Sequence, residues 1–241
     1  MFTIYKRELN SYFTQPTAYA VICIFVFLSL ILTFTMGDFI DRNNASIAWS
    51  FFYYHPWIYM LLAPALGMRL WTDEQRNGTI ELLGTFPTTI WSSILAKYLA
   101  AATVWLIALI LTTPIVIAVN FLGDPDNLTI FSGYIGSFLL FCTFLAITTL
   151  ISAFTKDQVT CLIVSCLICA LLVIIGYPDF SQVMVRSFSE STSDAILSVT
   201  AFDHFIPTLQ GVIRIQDLVY FFSIIIACLL STSAILSARR S

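Results

Sequence analysis

Long charge-free apolar runs recur six times along the chain: Ala18–Met36, about Trp49–Met68, Tyr98–Leu122, about Phe131–Phe154, Val159–Gly176 and Leu218–Ala238. Each is close to the roughly 20 residues that a helix needs to cross a hydrocarbon core of about 30 Å. Charges or turn residues fall at their edges. Arg69 closes the second run, Lys97 and Asp124 flank the third, Lys156 closes the fourth, Tyr177-Pro178 the fifth, and Arg239-Arg240 the last. The apolar residues come in unbroken runs and not in alternation, which excludes an outer-membrane barrel. The pattern predicts an all-α integral membrane protein in which residues 1–241 form a single transmembrane domain with six transmembrane helices.

Composition agrees. Hydrophobic residues are 59% of the chain and charged residues 10%. A soluble domain carries about 25% charged residues, so a water-facing surface of ordinary polarity is excluded. A net charge of −3 argues against nucleic acid as a partner. Orientation follows from Lys and Arg. With both termini cytoplasmic, eight basic residues lie inside (Lys6, Arg7, Arg69, Arg76, Lys97, Lys156, Arg239, Arg240) and three outside (Arg42, Arg186, Arg214). That bias predicts a multi-pass protein of the inner (cytoplasmic) membrane with membrane lipid around it. The first run is too long for a usual signal peptide, and no A-x-A-like site follows Met36.

The segments between the runs carry their own patterns. In Phe2–Gln15, the side chains of Phe2, Tyr5, Leu9, Tyr12 and Phe13 fall within roughly a 100° arc at helical pitch. Lys6, Arg7, Asn10 and Ser11 lie off that arc, and Pro16 follows. This reads as an amphipathic interfacial helix over about 1–16, with Lys6, Arg7, Glu8 and Tyr12 as its headgroup-level residues. The loop 70–97 is the longest cytoplasmic stretch. Thr72 with Gln75 matches a capping box, Asn77-Gly78 is a turn signal, Ile80–Leu83 is long enough for one helical turn, and Thr88 or Thr89 can cap the helix that follows. The outer segment 177–217 is too polar to span, yet Phe202, Ile206, Leu209 and Ile213 recur at helical spacing, with Pro207 interrupting them. One or two helices lying on the outer leaflet are expected there.

Candidate chemistry is sparse. The span middles carry no Asp, Glu, Lys or Arg, so proton- or sodium-driven transport is poorly supported. His55 sits in the second run, where a hydrogen bond to a neighbouring helix is the favoured reading over a titrating role. The nine glycines form no G-x-x-x-x-G-K-[ST] phosphate cradle, so any ATP-driven work requires the nucleotide on another subunit. Cys23, Cys142, Cys161, Cys166, Cys169 and Cys228 all fall inside the runs, where packing is the favoured role over metal binding or disulfides. Pro64 and Pro114 are candidate kinks.

Three stretches then carry a resemblance. Arg76-Asn77-Gly78-Thr79-Ile80-Glu81-Leu82-Leu83, Phe86-Pro87-Thr88 and Leu95-Ala96-Lys97-Tyr98-Leu99-Ala100 resemble the signature R-x-G-T-[IL]-E-L-L…[LF]-P…[LI]-x-[GA]-K-[FY]-[LA] of type 2 ABC exporter permeases. The stretch Lys6-Arg7-Glu8-Leu9…Tyr12-Phe13…Pro16 is similar to the branch with gliding-motility-associated and copper-enzyme-maturation permeases. So are His204-Phe205, Gly211-Val212-Ile213 and Asp217–Phe221. Gly84 departs from the pattern, since many members have Leu there. The resemblance implies six spans, an N-terminal interfacial helix, a coupling helix in the first cytoplasmic loop, and a re-entrant or interfacial segment before the last span. It also implies an ATP-binding subunit that holds ATP and Mg, and a second permease copy or a related permease; it leaves room for an extracytoplasmic accessory protein. By motif position, the coupling role falls on Asp73, Glu74, Arg76, Gly78, Thr79, Glu81 and Leu82.

The expected function is the permease subunit of an ATP-driven exporter, with no catalysis and no cofactor of its own. The uncharged spans favour a lipid-linked, apolar or bulky cargo over a small ion. Two rivals remain: a membrane scaffold or assembly factor without transport, and an intramembrane enzyme built on His55 or His204.

Overall fold

The computed structural model describes residues 1–35, 47–78, 89–122, 125–187 and 196–238, and helix is the one kind of regular structure among them. Helix α1 (Phe2–Thr14) ends at Gln15, whose backbone is extended (φ −98°, ψ 142°). The residue before a proline is pushed to that conformation, and Pro16 then opens α2 (Pro16–Thr35) at the first-turn position where its missing N–H costs nothing. The second apolar run is built in pieces: α3 (Ile47–Phe51), a 3₁₀ turn (Phe52–Tyr54), α4 (His55–Gly67) and, after a break at Met68, α5 (Arg69–Arg76). The 3₁₀ turn has a cause. Pro56 cannot donate to the Phe52 carbonyl four residues back, and the His55 N–H takes that carbonyl instead.

Helix α6 (Ile90–Ile110) starts at an N-cap where the Thr89 hydroxyl accepts from the Ser92 N–H, as expected for Thr89. It is interrupted at Leu111-Thr112 before α7 (Thr113–Leu122). Pro114 leaves the Ile110 carbonyl without its helical donor, and the Thr113 hydroxyl donates to it. Helices α8 (Asn127–Phe154), α9 (Gln158–Ile174), α10 (Pro178–Ser187), α11 (Ala201–Leu209) and α12 (Ile215–Ala238) follow. Asp126 and Asp157 cap α8 and α9 by accepting their first free backbone N–H groups.

Four helical stretches among the described residues are long and apolar enough to cross a membrane: Pro16–Thr35, Ile90–Phe121, Asn127–Phe154 and Ile215–Ala238. The other two expected spans are not among these: the second apolar run is segmented through α4, and the fifth holds the 17-residue apolar helix α9.

Helix α8 is the axis of the bundle. Of its most apolar stretch 78% is buried, against 33%, 39% and 17% for the corresponding stretches of the other three. Helices α4, α5, α6, α9, α11 and α12 all pack on it. Gly136 on α8 permits the closest of these approaches, because a Cβ there would run into the Thr208 side chain of α11. At mid-bundle, the Trp105 ring of α6 stacks on Phe141 of α8 with centroids 3.9 Å apart and planes within 2°. Large apolar side chains such as Phe27, Ile163, Leu167, Phe222 and Ile226 remain exposed on the outer faces, the pattern of a bundle whose solvent is lipid.

The 177–217 segment does contain helices, α10 and α11, but the apolar stripe of α11 is not turned outward. Phe202, Phe205 and Leu209 are buried, and α11 packs on α8 and α9. The stripe also stops sooner than its spacing suggests. Helix α11 ends at Leu209, Gly211 has φ +79°, and Ile213 is exposed beyond it. Pro207 lies within the helix instead of interrupting it.

Candidate functional site

The charged residues gather where α1, α5 and α6 meet. Helix α5 is continuous with the chain from α4 and is already running when it reaches Thr72. The capping box expected at Thr72 and Gln75 is therefore absent. The Thr72 hydroxyl donates back to the Met68 carbonyl (2.6 Å), as mid-helix threonines do. Gln75 turns inward, and its Nε2 donates to the carbonyls of Ser152 (3.0 Å) and Ala153 (2.6 Å). Those carbonyls belong to the last turn of α8, where no intrahelical donor remains. Gln75 thus pins α5 across the end of the central helix, and Gln158 of α9 adds a bond to Asp73 Oδ1.

Lys97 occupies the middle of the junction. It is only 4% exposed, and it lies about two turns inside an apolar helix. A buried ammonium requires partners for its charge and its donors. Nζ donates to the Leu70 carbonyl (2.8 Å) and to Glu74 Oε1, lies 3.9 Å from Glu8 Oε2, and sits 5.0 Å from the Trp71 ring centroid. One cation therefore joins α1 through Glu8, α5 through Glu74 and Leu70, and its own α6. Tyr12 of α1 completes the contact by donating to the Leu66 carbonyl (3.4 Å). Burial, with the Glu8 and Glu74 carboxylates beside it, pushes the Tyr12 phenol well above its ordinary range and keeps it a donor.

The Glu74–Lys97 ion pair thus joins α5, which precedes residues 79–88, to α6, which follows them. A model of the ABC-2 family transporter proteins matches residues 3–237. The chain belongs to that family. No curated protein matches it. This ABC-2 member is accordingly a multi-pass membrane protein and a permease component of an ABC transporter.

Four of the seven residues with an implied coupling role lie among the described residues. Glu74 is in the Lys97 node. Asp73 faces α9. Arg76 is exposed at the end of α5, near Asp157. Gly78 has φ +67°, the left-handed backbone expected of the Asn77-Gly78 turn. Thr79, Glu81 and Leu82, and the helical turn expected at Ile80–Leu83, lie outside the described residues. On α1, Glu8 and Tyr12 face the junction, whereas Lys6 and Arg7 are exposed, with Arg7 paired to Glu8 (2.7 Å). The α1 stripe is divided. Tyr5 reaches Thr103 of α6 (2.9 Å), and Leu9, Tyr12 and Phe13 pack on the bundle, while Phe2 stays 76% exposed.

Two further polar constellations sit elsewhere. His55 is fully buried, with Nδ1 2.8 Å from Ser137 Oγ of α8 and Tyr59 OH 3.0 Å away. That is the interhelical hydrogen bond expected of it. His204 of α11 places Nδ1 2.7 Å from Asp217 Oδ1 and Nε2 3.0 Å from the Ser198 carbonyl, and stacks on Tyr220. It thereby closes the corner into α12. Among the described residues no group of His, Cys, Asp and Glu is arranged to hold a metal, and Cys142, Cys161, Cys169 and Cys228 are buried as packing groups. Sequence reasoning missed Lys97, Gln75 and the His204–Asp217 pair as structural partners. For Lys97 the available signal was a single cation at the head of an apolar run, which also describes an ordinary flanking charge.

Proposed function

We propose that this chain is the permease subunit of an ATP-driven exporter: it forms the translocation pathway and is driven by a separate ATP-binding subunit docked on the cytoplasmic side. The observation that carries the reading is the Lys97 node. It ties the segment that enters the 79–88 loop, the segment that leaves it, and α1 into one block packed on the central helix, so a push on the loop is delivered to α1, α6 and α8 together. The family match supports the transporter class, and the lack of a phosphate-binding glycine motif in the sequence is consistent with ATP and Mg being held by the partner.

In this reading the chain makes six passes with both termini cytoplasmic, α1 lies at the cytoplasmic interface, and α10 and α11 cap the opposite end. Asp73, Glu74, Arg76, Gly78, Thr79, Glu81 and Leu82 form the coupling surface. A second copy or a related permease completes the pathway, and the chain itself catalyses nothing. The apolar bundle interior suits a lipid-linked, apolar or bulky cargo.

Co-purification tests it. The intact chain should bring down a protein with Walker motifs, and ATP hydrolysis by the pair should drop several-fold in Lys97→Met while the complex stays assembled. A chain that purifies alone and retains its cellular role without such a partner would instead be a scaffold. Loss of function in His55→Ala or His204→Ala with partner binding and ATPase unchanged would favour the intramembrane enzyme.

A further inference from the structure

A cavity of about 190 Å³ opens beside the Lys97 node, between α1, the start of α2, the end of α4 and α5. By the volume of a water in the liquid, about 30 Å³, it holds roughly six water-sized groups. Ser11, Tyr12, Gln15, Thr17, Arg69 and Asp73 line its polar side. Two of these side chains have bonding capacity left over. Arg69 donates through one terminal nitrogen to Gln15 Oε1 (3.1 Å), pairs with no carboxylate among the described residues, and keeps a buried Nε with no hydrogen-bond partner. Asp73 accepts from Gln158 through Oδ1, and its second oxygen takes no bond among the described residues. Arg69 lines the cavity with terminal N–H groups beyond the one given to Gln15, and a guanidinium without a carboxylate partner suits an anion there. The Asp73 carboxylate lines the same cavity and suits a cation close to that anion, whereas Glu8, also in the lining, is held by Arg7 and Lys97.

We infer that this cavity binds the headgroup of an aminophospholipid, its phosphodiester on Arg69 and its primary ammonium on Asp73. A phosphate joined to an ammonium by an ethylene link has the size and the paired charge of the cavity. The occupant is a lipid and not a free phosphate compound because the cavity sits at the elbow between α1 and the apolar helices α2 and α4, where Val21, Ala65 and Leu66 form its inner wall. This placement at headgroup level rests on the proposed interfacial position of α1. Three methyl groups on the nitrogen would remove every donor toward Asp73, and a glycerol headgroup would remove the cation, so the site discriminates among lipids.

The test uses the purified full chain, stripped of lipid in detergent and placed in nanodiscs of phosphatidylethanolamine, phosphatidylcholine or phosphatidylglycerol, with retained lipid read by native mass spectrometry. Phosphatidylethanolamine should be retained about ten-fold over the other two, the ratio expected for one charge-assisted hydrogen bond. Arg69→Gln should abolish retention of all three. Ser11→Phe should do the same by filling the cavity without touching a charge, and it decides the matter if Arg69→Gln does not fold. Asp73→Asn should erase the preference over phosphatidylglycerol and leave phosphate-dependent retention. Equal retention of the three lipids, or retention unchanged in Ser11→Phe, would overturn the inference. Competition by soluble glycerophosphoethanolamine at the same concentration would assign the site to a soluble ligand and overturn the lipid. None of these readouts needs an ATP-binding partner. Labelling of Ser11→Cys from the outer side would instead defeat the proposed topology itself.

Discussion

Glu74 and Lys97 are 23 residues apart and share an ion pair that staples the last turn of α5 to the second turn of α6. Lys97 is almost wholly buried, whereas the Glu74 side chain is 20% exposed and that of Glu8 17%. Breaking a buried pair by removing one partner costs about 3–5 kcal/mol, and partial exposure of the carboxylates brings the expected figure here to about 2 kcal/mol. Lys97→Met should therefore lower the thermal midpoint in detergent. The double variant Lys97→Met/Glu74→Gln should be less destabilised than the sum of the single changes, because each single change strands the other charge. Strict additivity in a double-mutant cycle would contradict the pairing.

Gln75→Leu should detach α5 from the end of α8. The Ser152 and Ala153 carbonyls would lose their donor in a buried setting, at about 1–3 kcal/mol. Hydrogen exchange checks this: α5 should exchange faster while mid-α8 amides keep their protection.

Gly136→Val should destabilise the bundle by about 1–3 kcal/mol, since the added side chain collides with Thr208 where α11 rests on α8. Thr208→Ala combined with it should recover part of the loss, read as the thermal midpoint of the pair against Gly136→Val alone.

The caps set a pH dependence. Hydrogen bonds from Thr129 and Leu128 hold the Asp126 carboxyl below the usual carboxylate value of 3.8, and those from Thr160, with a smaller push from Arg76, do the same for Asp157. A depressed folded value means that the stabilisation is fully present above about pH 4 and is lost as pH falls through the lower folded values. Asparagine also caps helices but does not titrate. Asp126→Asn/Asp157→Asn should match the parent near pH 7 and show a shallower decline in thermal midpoint below pH 4.

These results show which features sequence alone can reach. Helix positions were legible because long apolar runs and caps are local: Thr89 caps α6, Pro16 opens α2, and Gly78 turns the chain as its neighbours suggest. What an apolar stripe packs on was not legible. Tyr5, Tyr12, Phe202 and Leu209 have the spacing of interfacial helices, yet they are largely taken up by α4, α6 and α8, because periodicity marks an apolar face without naming the surface that covers it. The Thr72–Gln75 spacing is a cap only where a helix begins, and α5 begins three residues earlier. Lys97 reads as a charge flanking a span, since its partners Glu8 and Glu74 are far away in sequence. Segmentation of the second apolar run follows from Pro56, whose effect on the Phe52 carbonyl emerges once the chain is already helical there.

The central claim is that a separate ATP-binding subunit grips the loop between α5 and α6. The most direct measurement places a photo-crosslinking residue at position 78 in the intact chain, in membranes, and identifies the trapped protein by mass spectrometry. The account predicts a protein with Walker motifs, trapped from the cytoplasmic side and lost when position 78 is moved to an exposed site on α10. Reaction of position 78 with a membrane-impermeant reagent added outside, with no ATP-binding protein trapped, would contradict it.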